Sequence, residues 1–263
     1  MTDAKCGLTA PVHGGTSQML RGSTYPTLPA AGQRNWYARI PATVFLSAGV
    51  AMFAWYILMD VVASLAYDGY SYKDQTISEL SATGAPTRTF WLAMSIVYQA
   101  MAFAFAFGVL RVAGERRRVR IVGWLLLATA FSGILWWVGP MHQREVLAAD
   151  GGTWQDTLHL VLGGVSSILF FGMIGVGAGA FGKRFLAYSL ATIAVMVVFG
   201  MLMNMDIEAV GNDEPTPWLG IWERITIEGA MLWQAVFAAM LLRRVWPSRT
   251  GDERKGSRKG DTR

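Results

Sequence analysis

An all-α membrane domain of six transmembrane helices is the fold class this sequence predicts, and three observations carry it. Six apolar runs, at about 41–65, 90–113, 121–139, 158–181, 185–203 and 221–242, each come near the roughly 20 residues that about 30 Å of hydrocarbon requires. The composition is 53% apolar with 11 Trp, and no polar block is long enough to fold as a second, soluble domain. The charges are segregated: with successive loops on alternate sides, all but four of the 23 basic residues share one side, the exceptions being Lys73, Arg88, Arg144 and Arg224. Of the 18 acidic residues, all but Asp3, Glu115, Asp252, Glu253 and Asp261 take the other side. Basic residues are retained in cytoplasmic loops, so both termini are expected in the cytoplasm.

Residues 1–38 are rich in Gly, Thr, Pro and Ala and are expected to form a disordered cytoplasmic tail. They hold no apolar core of the kind a secretory signal needs, so the first apolar run is expected to stay as a helix. Cys6, the one cysteine, lies in this tail, which excludes an intramolecular disulfide and a cysteine-based metal site. The six-helix domain is assigned to 39–244. Its first span opens at Pro41, which suits a first helical turn, behind Trp36, Tyr37 and Arg39 at an expected interface. Asp60 then lies about 28 Å along the helix, near the outer boundary.

The second span carries Gln99 and the sixth Gln234 at mid-depth, where hydrogen bonding between helices is the ordinary use of an amide. The third ends in Trp136 and Trp137, which with Trp154, Trp218 and Trp222 form an expected aromatic belt. In the glycine-rich fourth span, Gly175 and Gly179 stand in a GxxxG spacing that lets another backbone come close, within the monomer or across a homo-oligomer. Met196, Met201 and Met203 in the fifth are apolar filler. The sixth span places Glu228 about 9 Å below the outer edge, where an ionisable group is a functional candidate by default; its expected ion-pair partner is Arg224, four residues earlier on the same face. Residues 245–263, dense in Arg, Lys, Asp, Ser and Gly, are expected to be a disordered basic tail.

The candidate chemistry gathers at the outer rim. Thr76 followed by Glu79 fits a capping box, which predicts a short surface helix through Ile77 and Leu80. The functional alternative makes Glu79, Asp74 or Ser78 binding or catalytic groups. His142 and His159 flank one loop, and Asp156 shares a helical face with His159 if the helix has begun there. Imidazole titrates near neutral pH, so such a pair with nearby carboxylates is competent for acid–base work. The spacing matches neither HExxH nor any strong metal signature, and no metal site is assigned. Glu79, His142, His159 and Glu228 are the catalytic candidates; Asp60, Asp74, Ser78, Asp156 and Arg224 are the substrate-binding candidates.

The loop DQTISELSATGAP at 74–86, followed by a Trp- and Ala-rich helix, resembles the pattern of the domain of unknown function 998 family of bacterial six-helix membrane proteins. The likeness runs from about Ala38 to Leu242 and implies a six-span fold with a site at this loop. More distantly, ISEL…G.P is similar to the ISD..G..P loop of Frag and DRAM type membrane proteins, some of which are tied to remodelling of lipid anchors. Glu79 takes the place of that Asp.

These features favour a protein that binds or modifies a lipid or lipid-linked head group from the outer leaflet of a bacterial plasma membrane, with membrane lipids as its partners. A non-catalytic accessory or structural subunit is the competing reading. A small-solute transporter is a third, poorly served by the few polar residues at mid-membrane. The sequence does not decide whether the protein is an enzyme, and its cofactors stay unknown. No span carries a mid-depth lysine for a retinal Schiff base, and both histidines sit shallower than haem ligation between helices requires. The basic loops face anionic lipid, so nucleic acid is not a partner.

Overall fold

The structure, a computed structural model, describes residues 41–245. Both expected tails, Val245 aside, lie outside the described residues, as does Cys6. In chain order the elements are α1 (Ala42–Ala66), a 3-10 helix (Ile77–Ser81), α2 (Arg88–Ala113), α3 (Arg117–Leu135), α4 (Arg144–Ala148), α5 (Trp154–Gly177), α6 (Lys183–Met205), α7 (Ile207–Gly211) and α8 (Leu219–Val245). The described chain is all-α, and six helices are long and apolar enough to cross a membrane. In hydrocarbon every backbone N–H and C=O must find a partner inside the segment, which is why these runs are helical. Between 22% and 44% of each span's apolar stretch is buried inside the protein. The remainder, with Leu160, Ile168 and Val198 all exposed, has lipid as its natural solvent. This is a multi-pass membrane protein.

The spans pack in a ring, α1 on α2, α2 on α3, α3 on α5, α5 on α6, α6 on α8 and α8 back on α1. Two short connections close one end, with Gly114 and Gly182 at φ of +52° and +93°, conformations that glycine adopts without a Cβ penalty. Loops over 67–87, 136–153 and 206–218 crowd the opposite, long-loop end. Toward the short-loop end the bundle is solid: Trp233 stacks on Phe237 with ring centroids 5.1 Å apart, and Phe185 leans on both. The buried indole of Trp233 donates to the Ser189 hydroxyl at 2.8 Å. Gly177 makes room for that ring, since a Cβ there would come within 2.5 Å of it.

Some boundaries and contacts differ from the sequence reading. The fourth span begins at Trp154, four residues before the expected start at 158, because Thr153 and Asp156 form a capping box. The third runs over Arg117–Leu135, so Trp136 and Trp137 leave the helix and turn into the loop. The GxxxG pair brings no backbone close within the chain: a Cβ at Gly175 would meet nothing within 4 Å, and Gly179 faces the Arg118 side chain. The tight contact falls instead at Gly177, between them, and is made by the side chains of Trp233 and Val122.

Candidate functional site

The long-loop end is built around two buried arginines. Thr76 caps the 3-10 helix as a full capping box: Glu79 N–H donates to its hydroxyl at 3.3 Å, and its own N–H donates to Glu79 Oε2 at 2.6 Å. The capping role read from the sequence is thus present, but the short helix is buried. Glu79 is 4% exposed because Arg144 from α4 closes over it, donating through Nε to Oε1 at 2.7 Å and through Nη2 to Oε2 at 3.0 Å. Burial pushes the Glu79 carboxyl upward, but the hydrogen bonds and charge of Arg144 outweigh it and hold the group below its ordinary range. Arg144 Nη1 also donates to Thr216 Oγ1 at 2.9 Å, so one side chain fastens three loops. Asp74 extends the knot by accepting from Trp218 N–H at 3.0 Å, the main reason its carboxyl is held low.

Arg224 on α8 makes the second fork. It donates to both oxygens of Asp60 on α1 at 2.8 Å, and its guanidinium lies 3.6 Å from the centre of the Tyr72 ring. This replaces the expected Arg224–Glu228 pair: a carboxylate on the facing helix meets both prongs, which a neighbour one turn away on the same helix does not. Glu228 Oε1 is buried with no hydrogen-bond partner. Glu223, also on α8 and buried, accepts from Ile77 N–H at the start of the 3-10 helix and from Ser78 Oγ at 3.4 Å.

The histidines brace the loops in different ways. His142 is held by Asp156, which accepts from its backbone N–H at 2.7 Å and pairs with Nδ1 at 2.9 Å. Asp156 thus faces His142 and does not pair with His159. His159 Nδ1 donates to the Gly139 carbonyl at 3.1 Å, and its ring stands edge-on to Trp136. Among the described residues no three His, Cys, Asp or Glu side chains converge as a metal site.

Beneath this cap lies a cavity of about 210 Å³ that runs from the loops into the bundle between α1, α2, α3, α5 and α8. At the loop end it is lined by Ser78, Ser81, Arg88 and His159. Its walls are apolar and aromatic, with Trp91, Tyr98, Trp136 and Trp137 among them, and Gln99 and Gln234 line its deeper part. Arg88 donates to the Ser81 carbonyl at 2.7 Å, and no carboxylate pairs with it among the described residues.

The family described as a protein of unknown function, DUF998, matches residues 49–240, which take in all of this cap and cavity. The chain belongs to the DUF998 family. No curated protein and no solved structure matches it, and the distant likeness to Frag and DRAM type proteins finds no support in these comparisons.

In this DUF998 protein two of the nine candidate residues, Ser78 and His159, reach the cavity. Glu79, Asp74, Asp60 and Arg224 are joined to one another through the loop knots above it. His142 and Asp156 form a separate clasp, and Glu228 sits on α8 without lining the cavity. Sequence reasoning missed Arg88, Arg144 and Glu223. The first two carried a visible signal, since they are among the four basic residues that break the charge segregation.

Proposed function

We propose that this DUF998 protein binds a lipid or lipid-linked molecule with a single apolar chain and an anionic head, taken from the outer leaflet of the plasma membrane. The chain occupies the cavity and the head meets Arg88. The observation that carries this reading is the contrast among three arginines at one end of the bundle. Arg144 and Arg224 each hold a buried carboxylate, whereas Arg88, lining the loop end of an apolar chamber, has a carbonyl alone. A guanidinium in such surroundings is stabilised by an anion that supplies a two-pronged partner. Ser78, Ser81 and His159, which line the same end of the cavity, are the groups that would touch the head.

The charge segregation supports the orientation. Arg111, Arg116, Arg117, Arg118, Arg120, Lys183, Arg184, Arg243 and Arg244 cluster at the short-loop end, which supports a cytoplasmic placement of that end and of both termini. Transport is less well served, because Phe105, Trp233 and Phe237, all fully buried, fill the bundle toward the short-loop end. The test is saturable binding of palmitate to the purified protein. Arg88→Gln is expected to weaken it by about tenfold or more, the worth of one hydrogen bond to a charged group. Lys73→Gln, at an exposed position, leaves it unchanged. Absence of saturable binding, or equal affinity in Arg88→Gln, overturns the reading.

A further inference from the structure

The deeper part of the cavity carries a polar pair that an unbranched hydrocarbon chain cannot use. Gln99 on α2 donates through Nε2 to the Ala130 carbonyl of α3, which turns its Oε1 toward Gly133. A Cβ at Gly133 would collide with that oxygen, so the glycine is what lets the amide sit there. Among the described residues no donor reaches Gln99 Oε1. Gln234 on α8 lines the same cavity and is 2% exposed, and its Nε2 has no hydrogen-bond partner. Leaving a buried amide donor unmade is unfavourable, and a native structure retains such a group where something else satisfies it.

Two helices independently measure how deep this pair lies. On α2, Arg88 hydrogen-bonds the 3-10 helix at Ser81, and Gln99 follows 11 residues later. On α8, Glu223 accepts from the same 3-10 helix at Ile77, and Gln234 also follows 11 residues later. Eleven residues are close to three full turns, which returns Gln99 to the helix face of Arg88 and Gln234 to that of Glu223, each about 16 Å further along its helix. Both amides line the one cavity, so an acceptor and a donor are offered to its contents at a similar depth below Arg88.

We infer that the ligand carries a hydroxyl group about 16 Å along its chain from the anionic head, and that Gln99 and Gln234 read it, the hydroxyl donating to Gln99 Oε1 and accepting from Gln234 Nε2. A hydroxyl is the small group that serves both. An extended chain advances roughly 1.3 Å per carbon, the projection of a carbon–carbon bond of about 1.5 Å, so 16 Å corresponds to about 12 carbons. This rests on the lipid-binding reading above and adds the position and nature of a second polar group.

The experiment measures binding of stearate, 12-hydroxystearate and 2-hydroxystearate to the full-length protein in detergent. The 12-hydroxy acid is expected to bind about fivefold more tightly than stearate, the worth of one net neutral hydrogen bond. The 2-hydroxy acid, whose hydroxyl stays beside the head, gains no such preference. In Gln234→Met the ratio of 12-hydroxystearate to stearate affinity falls to about one, and Gln99→Met provides the same comparison if the first variant does not fold. Equal binding of all three acids by the unaltered protein, or a preference that survives both substitutions, overturns this inference and leaves lipid binding standing. Failure of the unaltered protein to bind any of the three overturns both.

Discussion

Replacing Arg144 with Met tests whether the long-loop cap is held by its buried ion pairs. Arg144 and Glu79 bury their side chains to 10% and 5% exposure, and their two hydrogen bonds measure 2.7 and 3.0 Å. Arg144→Met leaves Glu79 with donors from Thr76 and Gln75 only, and loses the bond to Thr216. Removing one partner of a buried pair costs about 3–5 kcal/mol, mostly through the charge left behind. The double variant Glu79→Gln with Arg144→Met removes that charge and is expected to recover more than half of the loss. In the unaltered protein, burial raises the Glu79 carboxyl and Arg144 lowers it further than burial raises it. The folded-state value is therefore depressed, and its stabilisation is present above the unfolded value and is lost as the pH falls through the folded one. In Arg144→Met only the donors from Thr76 and Gln75 oppose burial, so the carboxyl sits higher than in the unaltered protein: the gap between the two proteins is greatest at neutral pH and narrows on acidification. Reversible unfolding in mixed micelles, followed from neutral pH down to the ordinary carboxylate range, should show the two proteins converging. A difference below about 1 kcal/mol, or a gap that widens toward acid, would refute this reasoning.

Asp60→Leu should be at least as damaging, since it strands the 4%-exposed side chain of Arg224 between α1 and α8, and Arg224→Lys should fail to restore a two-pronged contact; the same unfolding assay checks both. Gly49→Ala places a Cβ within 2.6 Å of the Phe105 ring and is expected to destabilise by about 1–3 kcal/mol, whereas Gly164→Ala, with nothing within 4 Å, is expected to be neutral or slightly stabilising. Glu228→Gln is expected to leave palmitate binding intact because Glu228 does not line the cavity, while His159→Ala weakens it; loss of binding in Glu228→Gln would place that residue in the site.

The spans were legible because membrane crossing demands about 20 apolar residues in a row, a signal that survives without knowledge of contacts. The Thr76–Glu79 capping box was legible for a similar reason, since both partners lie within one turn. What spacing could not supply is the choice made by a long side chain among partners far along the chain. Arg144 reaches Glu79 across 65 positions and Arg224 reaches Asp60 across 164. Local periodicity pointed Arg224 at Glu228 because a helical neighbour is the nearest candidate that sequence can show. The cavity was hidden for the same reason: Arg88, Gln99, Trp136 and Gln234 are remote in sequence and meet through the ring order of the helices. The failed charge segregation was the legible trace, because a basic residue kept on the unfavoured side needs a structural or ligand partner to hold it there.

The most direct measurement is to irradiate the protein with a fatty acid bearing a photoreactive group near mid-chain and to map the adducts by peptide mass spectrometry. Adducts are expected on the cavity-facing residues of α2 and α3, among them Ser95, Tyr98, Gln99 and Leu126, and they should diminish with excess palmitate and in Arg88→Gln. Adducts confined to the lipid-facing Ile168, Val198 and Trp124, insensitive to competitor, would contradict a chain housed inside the bundle.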